Sequence, residues 1–163
     1  MILEVKNKDT LVIGEFKFKC SVGRNGITKS KIEGDGKTPR GVFSLGTIYW
    51  RKDRVRKPIT KLNKSVLSKN DAWCNDIKSS LYNKKISIFN KVKKEKLFRK
   101  DHKYDYLIVI NYNTKRIVKN IGSAIFLHLT KDYKKTAGCV AVSLKDFKII
   151  LKLIKKNSKI KIY

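Results

Sequence analysis

Apolar and polar residues exchange places along this chain in two rhythms, a two-residue alternation over most of its length and one helical period near its C-terminus. Ile2-Leu3-Glu4-Val5, Thr10-Leu11-Val12-Ile13 and Phe16 to Cys20 are short β-branched or aromatic runs, broken at Asn7-Lys8-Asp9 and Gly14-Glu15. They predict a meander or paired hairpins over residues 2–20. Successive strand side chains point to opposite faces, so Phe16 and Phe18 should face a core and Lys17 and Lys19 solvent. Residues 21–50 are dense in Gly, Asp, Asn and Pro, the composition of tight turns, and end in the strand candidate Val42-Phe43-Ser44-Leu45. Residues 51–70 are basic and irregular, and Pro58 excludes one continuous helix through them. Residues 91–102 predict a helix with a thin apolar face of Val92, Leu97 and Phe98. Tyr106-Leu107-Ile108-Val109-Ile110 is an almost unbroken apolar run, as expected of a central strand buried on both faces. A second run covers residues 124–129, with His128 as its only polar side chain. The helical period follows: Leu144, Phe147, Ile150, Leu151 and Ile154 share one face behind Ser143, an N-cap with Asp146 three residues on. Lys155 and Lys156 lie at its C-terminal end, where the helix dipole favours cations. Ile160 and Ile162 alternate with Lys159 and Lys161 as a last strand.

The chemistry concentrates in residues 122–143. A buried strand there delivers one imidazole, His128, and a charged turn then leads to Thr136-Ala137-Gly138-Cys139. An imidazole is the usual means of activating a thiol, which is mostly protonated at neutral pH and reacts as the thiolate. Gly138 lets the backbone turn sharply and expose its N–H beside that of Cys139, an arrangement suited to an oxyanion hole.

This stretch resembles the active-site core of the L,D-transpeptidase (YkuD-type) catalytic domain, whose motif is a His at a strand end followed by Ser/Thr-x-Gly-Cys. His128 matches the first position, Thr136 the Ser/Thr, and Gly138 and Cys139 the Gly-Cys pair. Gly34-Asp35-Gly36-Lys37-Thr38-Pro39-Arg40-Gly41 is similar to the family's G-D-G-x-T-P-x-G segment. Trp73-Cys74-Asn75-Asp76 with Tyr82-Asn83, and Glu95-x-Leu97-x-Arg99-x-Asp101 before Tyr104-Asp105, resemble further stretches of it. The chain departs from the pattern at Ala137, where a second His is frequent, and at Val140-Ala141, which lacks the polar residue commonly found after the Cys. The fold implied is mainly β with a few helices, a sandwich of mixed sheets with one C-terminal amphipathic helix followed by a short strand. The activity implied is attack by Cys139 on the bond after the third residue of a peptidoglycan stem peptide, with His128 as base and no cofactor or metal. The main-chain carbonyl of Leu129 would orient the imidazole, and Ser123, Thr136, Trp73 and Arg40 are the substrate-contact candidates. Trp73 can serve as a cleft wall or as ordinary core; Thr136 and Ser143 also read as a turn residue and a helix cap.

Length points to a single domain over residues 1–163. Forty Lys and Arg against 13 Asp and Glu give a formal charge of +27, which raises a nucleic-acid-binding module as a rival reading. The charge is spread over the whole chain, with Lys far in excess of Arg, as codon bias also produces, and this argues against a dedicated nucleic-acid face. Anionic envelope polymers and stem carboxylates are alternative partners for such a field. Cys20, Cys74 and Cys139 are odd in number and contain no C-x-x-C pair, against a disulfide framework or a four-Cys zinc site. A Cys/His zinc set drawn from Cys74, Cys139, His128 and His102 has no support in spacing; Cys20 reads as a small buried apolar residue and His102 as a solvated loop residue. No transmembrane or signal segment is expected, since Glu4 and Lys6 interrupt the first apolar run. The family chemistry implies the cell envelope or periplasm, while the N-terminal reading leaves the cytoplasm open.

Overall fold

The computed structural model describes Met1–Tyr163 and is built almost wholly of strands. The three N-terminal runs form β1 (Ile2–Lys6), β2 (Thr10–Ile13) and β3 (Phe16–Ser21). They are followed by β4 (Ile27–Thr28), β5 (Thr38–Pro39), the ten-residue β6 (Gly41–Trp50) and β7 (Lys64–Val66). Three short strands, β8 (Asp71–Cys74), β9 (Lys85–Ser87) and β10 (Lys94–Lys96), make a separate antiparallel sheet in the order β10-β8-β9. β11 (Tyr106–Ile110), β12 (Phe126–Leu129) and β13 (Val140–Val142) precede the helix α1 (Leu144–Leu153) and the last strand β14 (Lys159–Ile162).

The main sheet runs β11-β12-β13-β3-β2-β1-β14-β6-β7, and a further pairing of β11 with β6 closes the circuit. Two long strands serve as corners. β6 gives residues 41–44 to β14 and residues 45–50 to β11, while β3 pairs with β2 and, at Cys20 and Ser21, with β13. Strands that pass from one layer to another in this way let a sandwich close without leaving open edges there. Parallel pairs, β1 with β14 and β12 with β13, stand beside antiparallel ones, so the sheet is mixed.

One apolar cluster of 25 buried residues fills the interior, from Leu3, Val5 and Leu11 to Ile108, Leu127 and Val140. α1 seals it with Phe147, Ile150 and Leu151, and the Phe147 ring stacks on Tyr106 at 5.7 Å. Ser143 caps the helix as expected, its Oγ accepting from Asp146 N–H at 3.1 Å. β11 is buried at all five positions: Tyr106, Ile108 and Ile110 enter this interior, while Leu107 and Val109 join a second cluster with Leu67, Trp73, Leu97, Tyr104, Phe126 and Cys139. The catalytic candidate therefore sits on the outer face of the sheet, under the small β8–β10 layer.

Two expectations need correction. Residues 91–102 contain no helix; β10 lies there, paired with β8, and Leu97 is buried as an anchor rather than as part of a helical stripe. α1 is accordingly the one helix, where a few were expected. Phe18 is buried but Phe16 is half exposed at 52%, stacked on Phe18 at the hairpin end of β3, beyond the reach of the core.

Candidate active site

β12 and β13 run parallel with Leu127 opposite Val140 and His128 opposite Ala141. Cys139 immediately precedes β13 and so falls beside Phe126, whose N–H donates to Cys139 Sγ at 3.4 Å. Side chains two apart on a strand share a face, which puts His128 on the same side as Phe126 and the thiol. The Tyr104 ring meets both the Phe126 ring and the imidazole edge-on, at 5.9 and 5.1 Å. His128 and Cys139 line one cavity of about 490 Å³.

Each of the two groups is fixed by the backbone. His128 Nδ1 lies 2.8 Å from the carbonyl oxygen of Leu129, which can only accept, so Nδ1 carries the proton and Nε2 is the free base. The Leu129 carbonyl thus contacts the imidazole where the resemblance placed it. The Cys139 thiol donates to Ala124 O at 3.3 Å. Ala124 has a positive φ of 54°, uncommon for a residue with a Cβ, and Asn83 holds it there. Asn83 Oδ1 accepts from Ala124 N–H at 3.1 Å and from Trp73 Nε1–H at 2.9 Å, and its Nδ2 donates to the carbonyls of Tyr112 and Asn113.

Gly138 adopts φ +151°, and a Cβ there would stand 2.9 Å from the carbonyl of Lys37, so the position demands glycine. Its N–H does not point freely at a reacting atom: it donates to Thr136 Oγ1 at 3.1 Å, while the Thr136 hydroxyl donates to Cys139 O at 2.6 Å. The Cys139 N–H meets no acceptor within the protein, so of the two N–H groups it is the one left free beside the thiol.

Burial dominates the electrostatics. It pushes the Cys139 thiol up to about 12, with the Glu95 carboxylate adding to the effect, and pulls the His128 imidazole down to about 4, helped by Lys103 and Arg99. Both partners therefore rest neutral across the physiological range, as thiol and imidazole rather than as an ion pair.

Of the other candidates, Ser123 and Thr136 line the cavity and Ser123 Oγ donates to Glu33 at 2.7 Å. Trp73 is core: it packs edge-on against Phe126 at 5.1 Å and does not line the cavity. Arg40 is exposed and stands outside the cavity wall, on the surface between β5 and β6. His102 lies in an exposed loop with Nδ1 2.7 Å from Asp105. Cys20 and Cys74 are buried free thiols away from this cavity. Among residues that sequence reasoning did not assign a role, Glu33, Asn75, Glu95 and Tyr104 line the cavity and Asn83 supports it. The Glu95 to Tyr104 motif marked part of this set, but nothing local indicates that those side chains turn inward. No group of three or more His, Cys, Asp or Glu is placed to hold a metal ion.

The family model of the L,D-transpeptidase catalytic domain, YkuD, matches residues 2–162. The chain belongs to this family. No curated protein matches it. The L,D-transpeptidase fold is shared with the helical cell shape determining protein Pgp2 from Campylobacter jejuni, at 17% identity and a TM-score of 0.52. A point variant of the same Pgp2 gives 17% identity and 0.51. The comparison covers 99% of this chain and 46% of Pgp2, so the chain spans about half the length of that protein. No helix of the chain is long and apolar enough to cross a membrane.

Proposed function

We propose that this L,D-transpeptidase-family domain transfers an acyl group of a peptidoglycan stem peptide through a thioester on Cys139. The observation that supports the reading most is one cavity in which a buried thiol and an imidazole of fixed tautomer lie on the same face of a parallel strand pair. On arrival of substrate, His128 Nε2 takes the thiol proton as Sγ bonds to the scissile carbonyl carbon. The Cys139 N–H receives the oxyanion. Collapse breaks the C–N bond, and the leaving amine takes the proton from His128. An acceptor amine, or water, then loses a proton to His128 and attacks the thioester; the thiolate leaves and is reprotonated. An amine yields a crosslink or exchange and water yields trimming. The substrate places the work in the cell envelope, where a formal charge of +27 would also attract anionic polymers.

Intact mass after incubation with disaccharide-tetrapeptide tests this, with product analysis alongside. The parent should gain the acyl mass and release the terminal residue, and Cys139→Ala should do neither. Absence of both in a folded parent with a reduced thiol overturns the proposal, and release without a crosslinked dimer assigns hydrolysis in place of transfer.

A further inference from the structure

A second cavity, of about 520 Å³, adjoins the first and shares Arg24 and Lys135 with it, but is lined by neither Cys139 nor His128. It opens where one edge of β3 changes partners. Cys20 N–H donates to Asp9 O at 2.6 Å, and two residues further along the same edge Val22 O accepts from Thr136 N–H at 3.0 Å. Between these two bonds the Val22 N–H meets no acceptor in the protein, although Val22 is buried and lines the cavity. Beside it the Ser21 hydroxyl is also buried without a partner. Cys20 enters the core, so Ser21 lies on the opposite face of β3 together with Lys19. Four cations line the same cavity, Lys8, Lys19, Arg24 and Lys135, and none of them makes an ion pair. The Lys19 ammonium lies over the Tyr133 ring at 4.7 Å. Two carboxylates complete the wall, Asp9, whose Oδ1 accepts from the Thr10 hydroxyl at 2.8 Å, and Asp132.

A buried N–H without an acceptor is rare and costly, and here it stands next to an unpartnered hydroxyl among unpaired cations. Such a set of donors calls for an oxyanion with several acceptor oxygens. Phosphate meets it better than a carboxylate does: its oxygens are arranged tetrahedrally and accept from a main-chain N–H, a hydroxyl and ammonium groups in different directions, whereas a carboxylate offers two oxygens in one plane. We propose that the edge of β3 between Asp9 and Thr136 is a binding site for the phosphate group of a sugar or polyol phosphate. The phosphate accepts from Val22 N–H and the Ser21 hydroxyl, Lys8 and Lys19 neutralise it, and hydroxyl groups of the esterified sugar or polyol donate to Asp9 and Asp132. The site needs neither Cys139 nor the acyl chemistry. Because Arg24 and Lys135 belong to both cavities, a phosphate-bearing chain held here lies alongside the cavity of the nucleophile.

Backbone amide NMR spectra of the protein, recorded during titration with inorganic phosphate, test the site. The Val22 amide proton should move downfield and saturate, with Ser21 responding alongside, while acetate at the same ionic strength should leave both in place. Lys8→Gln combined with Lys19→Gln should weaken phosphate binding at least about tenfold, two charge-assisted contacts being lost. The same double variant should acylate Cys139 at the parent rate, since neither lysine lines the catalytic cavity. Glycerol phosphate should bind more tightly than inorganic phosphate, and Asp132→Asn should remove that advantage; equal or weaker binding of glycerol phosphate overturns the sugar or polyol part and assigns the site to the free ion. A Val22 amide that stays in place, shifts that spread over the lysine-bearing surface without saturating, an equal response to acetate, or unchanged affinity in the double variant overturns the site.

Discussion

Strands β11, β12 and β13 are buried at every position, whereas the sheet packed over them puts Lys or Glu at most positions of β9 and β10 and buries only β8 throughout. The first region assembles by apolar burial, roughly 25 cal/mol for each square ångström removed from water. The second is tied down by polar side chains that reach distant backbone. Arg51 donates to Arg99 O and stacks on the Phe98 ring at 3.4 Å, Arg54 donates to the carbonyls of Lys100 and Asp101, and Asn83 spans from β8 to the Tyr112 and Asn113 carbonyls. The division also follows the chemistry. The apolar strands hold His128 and lead into Cys139, and the polar layer supplies Glu95 and Asn75 to the wall of the same cavity.

If the two regions divide labour in this way, the largest effect belongs to the apolar one. His128→Ala should slow acylation of Cys139 by about 10²- to 10⁴-fold, the usual range for a positioned base, and, as a buried large-to-small change, should also lower the melting temperature. Single-turnover acylation followed by mass measures it; a drop below tenfold would show that the thiol is activated by something else. The pH profile of the parent should fall as pH passes down through about 4, where His128 becomes protonated.

Next comes the hinge between the regions. Asn83 satisfies four hydrogen bonds from a buried position, so Asn83→Ala should cost on the order of 2–4 kcal/mol in denaturant unfolding and also slow acylation, since Ala124 and the thiol lose their support. Loss of stability with an unchanged acylation rate would separate the two regions functionally.

A comparable stability effect is linked to pH. The His128 pKa is depressed from 6.5 to about 4, so the unfolded chain binds the proton more readily than the folded one. The stability involved, about 3 kcal/mol at most, is present above pH 6.5 and is lost as pH falls towards 4. Denaturant titrations at pH 7 and pH 4.5 on the parent and His128→Gln should show the difference only in the parent. Smallest is Ser143→Ala, which removes the helix cap and should cost about 1 kcal/mol while leaving the thiol chemistry intact.

Legibility in the sequence follows the same division. The alternations over residues 2–20, the apolar run of β11 and the capped period of α1 each announce their element, because burial of one face or both leaves a local pattern. Residues 91–102 do not, because Glu95, Leu97 and Arg99 are placed by pairing with β8 and by contacts to Tyr104 and Arg51. Their spacing imitated a helix. Trp73 likewise left two readings open, since a Trp that packs on Phe126 and donates to Asn83 looks no different in sequence from one that walls a cleft.

By itself, then, the sequence determined the mainly β architecture and the terminal helix, and it singled out His128 and Cys139 as candidates, all from residues close together in the chain or from a recognisable motif. Only the tertiary structure decided that Gly138 N–H is taken by Thr136 while Cys139 N–H stays free, that burial keeps the thiol and imidazole neutral, and that two carboxylates from remote segments line the cavity that holds Cys139. Those facts depend on desolvation, on the turn geometry adopted by Thr136 to Cys139 in the folded chain, and on segments brought together from far apart in sequence, and no local pattern encodes any of them.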